Sequence, residues 1–177
     1  MKIVVVKASG EWYCKPDNTL NHNNSDYYCP EGVVALEAVP CIYTHIDKAG
    51  KCVARRFAGR YWSRLAFGLM LVDRSATAES AMASAMDFTS VLDMAWQPDC
   101  HLVPGQFALE INGEQRYRLE EEFNVDTIND AICRITARTS LRIGDIVAIE
   151  AGSGFPAAAG DTLTRIVSGE RISIKIY

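Results

Sequence analysis

The sequence contains no long apolar run and no excess of basic residues. None of its apolar stretches reaches the ~20 residues that a membrane-spanning helix needs. The apolar segment before Lys7 is too short for a secretory signal and instead predicts a first β-strand. Lys and Arg number 18 against 22 Asp and Glu, and the net charge is −4. This balance argues against a general binder of nucleic acid or of an anionic membrane surface, so we expect neither partner.

The cysteines are not clustered. The six of them show neither Cys-x-x-Cys spacing nor a repeat, and disulfide frameworks occur mostly in shorter, secreted chains. We therefore favour reduced, mostly buried thiols and expect a cytoplasmic protein.

Metal-binding patterns are weak. His22 lies in an Asn-rich loop, where a histidine is usually solvated. Asp99, Cys100 and His101 are adjacent and could ligate a metal, but no second cluster accompanies them. We favour a solvated loop over a metal site at both places.

Three helices are predicted. Apolar residues recur every fourth position from Val53 to Leu65, which predicts a helix over 52–67 that ends at Gly68. Four arginines in this segment form either an anion site or, as we favour, a solvated or ion-paired face. A second helix is predicted over 76–87, capped by Ser75 or Thr77. A third follows Asp126 as its cap, with Ile128, Ile132 and Ile135 facing the core.

The remaining segments predict about ten short strands. Asn112-Gly113 between two strand-like runs is a strong hairpin signal. Pro40 separates two apolar runs, 33–39 and 41–46, and predicts an edge or a bulge between them. Near the carboxyl end, strands at 145–150, 162–167 and 171–176 surround the turn residues Gly152, Ser153 and Gly154. Strands are also predicted at 12–14, 69–73 and 91–96. The pattern indicates one α+β domain over 1–177 with a mixed, mostly antiparallel sheet and about three helices.

The motifs of the carboxyl-terminal half resemble the fumarylacetoacetate hydrolase family. These are FALEINGEQRY, the helix after it, and TSLRIGDIVAIEAGSGFPAAAGDTLTRIVSGERISI. Upstream, CKPDNTL resembles the "KP" segment of the family, and KAGKCVARRFAGRYWSRLAFG resembles the stretch after its "GK" turn. The resemblance covers 12–177 and implies a β-sandwich roll, with 1–11 as a first strand and a shortened amino-terminal segment. It also implies a homodimer.

The resemblance implies metal-assisted chemistry on 2-oxo or 1,3-dicarbonyl acids. In this family a divalent cation chelates two substrate oxygens and stabilises an enolate. The Glu-x-Glu pair that binds the cation falls at Val39-Pro40-Cys41 in this sequence, and the metal-binding Asp falls at Met70. The family lysine falls at Ser84. The turn reads EAGSG, which lacks the expected Thr near residue 151, and the segment with the proton-transferring His has no counterpart.

Three hypotheses follow from these departures. We favour a divergent, non-catalytic protein that binds a small molecule or a partner, or that is structural, with no metal or other cofactor. The alternative is a Mg²⁺- or Mn²⁺-dependent hydrolase, decarboxylase or isomerase that uses shifted residues: Glu31, Glu37 and Asp73 as ligands, and His22 or His45 for proton transfer. In the third, Arg74 binds a small carboxylic acid, although pairing with a protein carboxylate such as Asp73 or Asp87 is favoured over this. The candidate pocket residues are Lys15, Glu37, Arg74, Asp87, Gly152, Ser153 and Gly154.

Overall fold

The structure is a computed structural model that describes residues 1–75, 80–92, 96–97 and 102–177. Two β-sheets and a 13-residue helix form most of it. The strands are β1 Lys2–Val6, β2 Trp12–Pro16, β3 Leu20–Asn21, β4 Leu36–Ile46, β5 Trp62–Asp73, β6 Ser90–Leu92, β7 Phe107–Ile111, β8 Glu114–Arg118, β9 Ile146–Glu150, β10 Phe155–Ala157, β11 Thr162–Val167 and β12 Glu170–Lys175. The helices are α1 Arg55–Ala58, α2 Ser80–Ala83 and α3 Asp126–Arg138, with a 3-10 turn at Asp17–Thr19.

The larger sheet has eight strands in the order β2-β1-β9-β4-β5-β6-β3, and β10 also pairs with β4. The β1–β9 and β3–β6 pairs are parallel and the other pairs are antiparallel. The smaller sheet is wholly antiparallel, in the order β12-β11-β7-β8. The predicted class, α+β with a mostly antiparallel sheet system, is confirmed.

The two faces of the larger sheet are covered differently. Side chains alternate along β4, so that Ile42 packs in a core with α3 residues while Cys41 and Tyr43 point to the opposite face. The first face also contacts the smaller sheet, through a core that joins Leu69 and Leu71 to Leu109. The opposite face has its own apolar cluster around Met70. It is this second face that carries the candidate site.

The third predicted helix is confirmed, and its three isoleucines are fully buried. The predicted cap is wrong by one position. Val125 is the N-cap, and Asp126 lies in the first turn, where its backbone N–H donates to Asn124 Oδ1 at 3.0 Å. Asp126 still complements the positive end of the helix dipole there.

The predicted helix over 52–67 is largely wrong. Only Arg55–Ala58 is helical, and from Trp62 the chain becomes β5, which pairs with β4 from Ile46↔Trp62 to Leu36↔Asp73. A spacing of four in the sequence cannot reveal the partner strand β4, which ends before this segment begins, and pairing with β4 overrode the local helical pattern. The arginines of this segment are therefore on different elements. Arg55 pairs with Asp126 and Asp130.

Gly68 and Pro40 both lie inside continuous strands. Gly68 does not end an element; a Cβ there would lie 2.4 Å from the backbone oxygen of Val91 and 2.7 Å from the Tyr43 ring. Pro40 makes neither an edge nor a bulge. β10 pairs with residues 36–38 of β4, and β9 pairs with residues 41–45. Pro40 lies between these two paired segments, where neither strand needs the backbone N–H that proline lacks. Its carbonyl accepts from Ala151 N–H there at 2.9 Å.

The predicted turns and carboxyl-terminal strands are confirmed. Asn112 and Gly113 have φ values of 54° and 81°, as the tight hairpin between β7 and β8 requires. The strand over 162–167 has the predicted bounds, β9 begins one residue later than predicted, and β12 begins and ends one residue earlier than predicted.

Two further predictions fall partly outside the described residues. The segment 76–87 is helical at Ser80–Ala83, and the strand over 91–96 is present as Ser90–Leu92. Thr77, 93–95 and the Asp99-Cys100-His101 cluster lie outside the described residues. None of the helices in the described ranges is long and apolar enough to span a membrane.

Candidate functional site

A cavity of about 450 Å³ opens on the second face of the larger sheet, where β2, β5 and β9 end near one another. We call it the main cavity. Its charged and aromatic wall residues are Lys7, Tyr13, Lys15, Asp73, Arg74 and Glu150. Three cations thus face two carboxylates, in a volume typical of small-ligand sites.

Lys15 is the most unusual of these residues. It is 1% exposed, although lysine is almost never fully buried without a partner. Its Nζ donates to Thr89 Oγ1 at 2.8 Å, and no carboxylate lies within 4 Å of Nζ in the described ranges. Burial disfavours the charged form and lowers the pKa of Lys15 to about 8.

Tyr13 and Lys15 lie on the same side of β2 because side chains two residues apart share a face. The Tyr13 hydroxyl approaches Met70 Sδ at 3.5 Å. Burial, with the nearby Glu150 charge as a smaller cause, raises the pKa of Tyr13 well above its usual value. The phenol therefore stays neutral and protonated at physiological pH.

Arg74 and Glu37 form an ion pair at the edge of the main cavity. Arg74 Nε donates to Glu37 Oε2 at 2.9 Å, with side chains 45% and 31% exposed. The expectation that Arg74 pairs with a protein carboxylate is thus met by Glu37 and not by Asp73 or Asp87. Gly154 lies beside this pair, and Glu37 Oε2 is the nearest atom to where its Cβ would be.

Solved structures resemble nearly the whole chain. A protein from Yersinia pestis CO92, provisionally placed in the fumarylacetoacetate hydrolase family, matches with a TM-score of 0.82 and 20% identity over 99% of this chain and 92% of its own. Fumarylpyruvate hydrolase from Pseudomonas aeruginosa, in complex with Mn²⁺ and pyruvate, matches at 0.81 and 15% over 99% and 89%. A 2-hydroxyhepta-2,4-diene-1,7-dioate isomerase from Mycobacterium marinum matches at 0.80 and 17% over 99% and 73%.

The chain has the fumarylacetoacetate hydrolase fold. No protein-family model matches the sequence, and no curated protein matches it significantly. With identities of 20% or less, the likeness concerns the fold, and the chemistry has to be argued from the residues present.

The positions at which the resemblance places the metal ligands of fumarylacetoacetate hydrolases are adjacent in this structure. Val39 is the register partner of Met70, and Cys41 is two residues along the same face of β4. All three are at most 1% exposed and pack in one apolar cluster. Mg²⁺ and Mn²⁺ require several oxygen ligands, and a thioether, a thiol and a valine do not fit them. Burial raises the pKa of Cys41 far above its usual value, so this thiol stays protonated.

The shifted ligand set of the alternative hypothesis is not brought together. Asp73 is the register partner of Leu36, and Glu37 is the register partner of Val72, so the two carboxylates are not paired across the ladder. Glu37 accepts from Arg74 Nε, whereas Asp73 accepts from the backbone N–H of Ser75 at 2.8 Å. Glu31 is exposed in a loop. In the described ranges, no three His, Cys, Asp or Glu residues lie close enough to share a metal ion.

The remaining polar candidates lie elsewhere. His45 contacts Asp47 Oδ1 at 2.8 Å and lies opposite Ile146, at the end of β9 away from Glu150. Asp87 accepts from Asn18 and lines a separate surface depression that also contains His22. Neither histidine is among the residues that line the main cavity.

Gly152 and Ser153 are not in the cavity wall either. A Cβ on Gly152 would lie 2.9 Å from the Tyr117 ring, so Tyr117 is what approaches this glycine most closely.

The sequence argument missed Lys7, Tyr13 and Glu150 as wall residues. Tyr13 and Glu150 follow from strand alternation once the register is known, because Tyr13 precedes Lys15 by two and Glu150 is the register partner of Cys41. Lys7 lies just after the end of β1 and has no register partner. The position assigned to the family lysine, Ser84, does line the main cavity. The buried lysine of this wall, Lys15, comes from β2 instead.

Proposed function

We propose that this protein binds a small carboxylic acid in the main cavity and does not catalyse the metal-assisted reactions expected from the family resemblance. The observation that carries this proposal is Lys15, a buried amino group at the cavity wall whose hydrogen-bond partner among the described residues is the Thr89 hydroxyl. A buried cation is costly unless an anion compensates it, and the main cavity has room for one.

Arg74 supports the same proposal. Its Nε is engaged by Glu37, while its terminal Nη groups have no carboxylate partner within the described ranges. A guanidinium offers several N–H donors in a fixed plane and can bind a second carboxylate with those that remain. A small acid anion would therefore contact Lys15 at the base of the cavity and Arg74 at its edge.

The residues at the positions where the family resemblance places the metal ligands support the proposed lack of metal chemistry. Val39, Cys41 and Met70 fill it with apolar and sulfur atoms, which are poor partners for hard divalent cations. The alternative, a Mg²⁺- or Mn²⁺-dependent hydrolase or isomerase, draws support from the enzymes among the structural neighbours. It would need a ligand set outside the positions expected from the family.

Isothermal titration calorimetry with pyruvate and with lactate, each with and without MnCl₂, tests the proposal. We expect binding that is independent of Mn²⁺. Arg74→Ala should weaken it roughly 10- to 100-fold, since a hydrogen bond to a charged group contributes about 1.5–3 kcal/mol. Arg116→Ala is a matched control, because Arg116 is 43% exposed and paired with Glu114 at 2.8 Å, but belongs to the smaller sheet.

Two outcomes would contradict the proposal. One is that a panel of small mono- and dicarboxylic acids gives no heat of binding to the wild type. The other is that binding requires Mn²⁺ and is accompanied by acylpyruvate hydrolysis or oxaloacetate decarboxylation, which would establish the metal-dependent alternative.

A further inference from the structure

Lys15 has the properties of a reactive amine as well as those of an anion partner. It lies within β2, where its backbone pairs with Ile3 of β1, so its position is fixed by a strand and not by a loop. The Thr89 hydroxyl donates to the carbonyl of Met86 at 2.7 Å. Its oxygen is therefore left to accept from Lys15, and this contact orients the amino group.

The surroundings favour the neutral form of the amine. With the pKa lowered to about 8 by burial, about a tenth of the amino groups are neutral at pH 7, against well under a hundredth of those on an exposed lysine. The neighbouring ionisable side chain on β4, Cys41, stays protonated and supplies no countercharge at that pH. A neutral, desolvated lysine is the form that attacks carbonyl carbon.

We propose that Lys15 forms an imine with the carbonyl carbon of a small oxo acid bound in the main cavity. This rests on the proposed function, because Arg74 and Lys7 in the same wall would hold the carboxylate of that acid. The nitrogen of Lys15 forms a bond to the carbonyl carbon. The carbonyl oxygen takes both hydrogens of the neutral amino group and leaves as water, and C=N replaces C=O without oxidation or reduction.

Reductive trapping tests this step. The wild type is incubated with pyruvate and sodium cyanoborohydride, digested, and analysed by mass spectrometry for an N-(1-carboxyethyl) group. We expect the adduct on Lys15 at several-fold higher occupancy than on Lys2, Lys48 or Lys51. Lactate, which has a carboxylate but no carbonyl, should give none.

Two variants distinguish specific labelling of Lys15 from random labelling of lysines. Lys15→Met should remove the adduct while Lys51→Met, a change at an exposed lysine, should leave it unchanged. Mapping the adduct in the wild type keeps the test decisive even if Lys15→Met does not fold.

The outcomes distinguish this inference from the proposed function. Calorimetric binding of pyruvate and lactate without any adduct on Lys15 would overturn the imine and leave the binding proposal standing. An adduct no more abundant on Lys15 than on the exposed lysines would also overturn the imine. Loss of both binding and adduct would overturn both proposals.

Discussion

At the scale of single residues, Lys15 is an ionisable group that the fold removes from water. The strand that carries this side chain buries it, and its hydroxyl partner from Thr89 does not neutralise it. The protonated amine therefore opposes folding, whereas the neutral amine does not. Such groups are often found at functional sites, where instability is tolerated for the sake of a ligand.

The cost of this charge should be visible in the pH dependence of stability. Below pH 8 both the folded and the unfolded protein carry the proton. Between pH 8 and about 10.4 the folded state loses it first, so the free energy of unfolding of the wild type rises relative to that of Lys15→Met, by up to about 1.4 kcal/mol per pH unit.

Urea unfolding of both proteins at pH 7, 8, 9 and 10 measures this difference. Taking the difference between the two proteins removes the common effect of the buried tyrosines and Cys41, which titrate in the opposite sense. A difference that stays constant over this range would show that Lys15 has an ordinary pKa.

At the scale of elements, β4 and β5 form the longest ladder of the molecule and divide its two faces. The ladder depends on Gly68, which leaves space for the Tyr43 ring and for the backbone of β6. Tyr43 is fully buried, and its hydroxyl donates to the carbonyl of Leu69 at 3.1 Å. The ring cannot move away without breaking that bond.

Gly68→Ala should therefore be severely destabilising, by roughly 2–4 kcal/mol, because the added methyl group meets backbone on one side and a fixed ring on the other. Gly59→Ala is the control, since Gly59 has a φ of −61° and the nearest atom to its added Cβ is 3.6 Å away. Thermal unfolding followed by circular dichroism compares the two. Equal melting temperatures would show that β5 and β6 can separate without cost.

The elements also explain what the sequence could and could not predict. The Asn112-Gly113 turn and the buried face of α3 were predictable because their signals are local: a positive φ, or an apolar spacing within one helix. The strand at Trp62–Asp73 was not, because its conformation is decided by pairing with β4. The site was predictable only in part for the same reason. Lys15 came from a motif and Arg74 from its position just after a predicted strand, whereas Glu150 reaches the cavity through a register that no local pattern shows.

At the scale of the whole molecule, the two sheets are joined by an aromatic contact. Phe67 of the larger sheet and Phe107 of the smaller sheet stack with ring centroids 4.6 Å apart and an angle of 19° between their planes. Both are buried. Arg165 of β11 adds a hydrogen bond to the carbonyl of Phe67 at 3.2 Å. These contacts indicate that the sheets unfold together.

Phe107→Ala should lower the free energy of unfolding by about 3–5 kcal/mol through loss of burial and the cavity left behind. Because it lies between the sheets, a single transition should remain, with tryptophan fluorescence and far-ultraviolet circular dichroism giving the same midpoint. Phe88→Ala, at a residue 52% exposed, should change stability by less than ~0.5 kcal/mol. Two separated transitions would mean that the smaller sheet folds independently.

The parallel pairing of β1 with β9 has a consequence for synthesis on the ribosome. β9 lies between β1 and β4 in the larger sheet. The hydrogen bond from Lys2 Nζ to Asp145 Oδ2 joins residues that are 143 positions apart in the sequence. The β1–β2 hairpin therefore emerges long before the strand that receives it, and closing so large a loop slows folding. Lys15 travels on that hairpin. The main cavity, whose wall includes both Lys15 and Glu150, is complete only after β9 has been made.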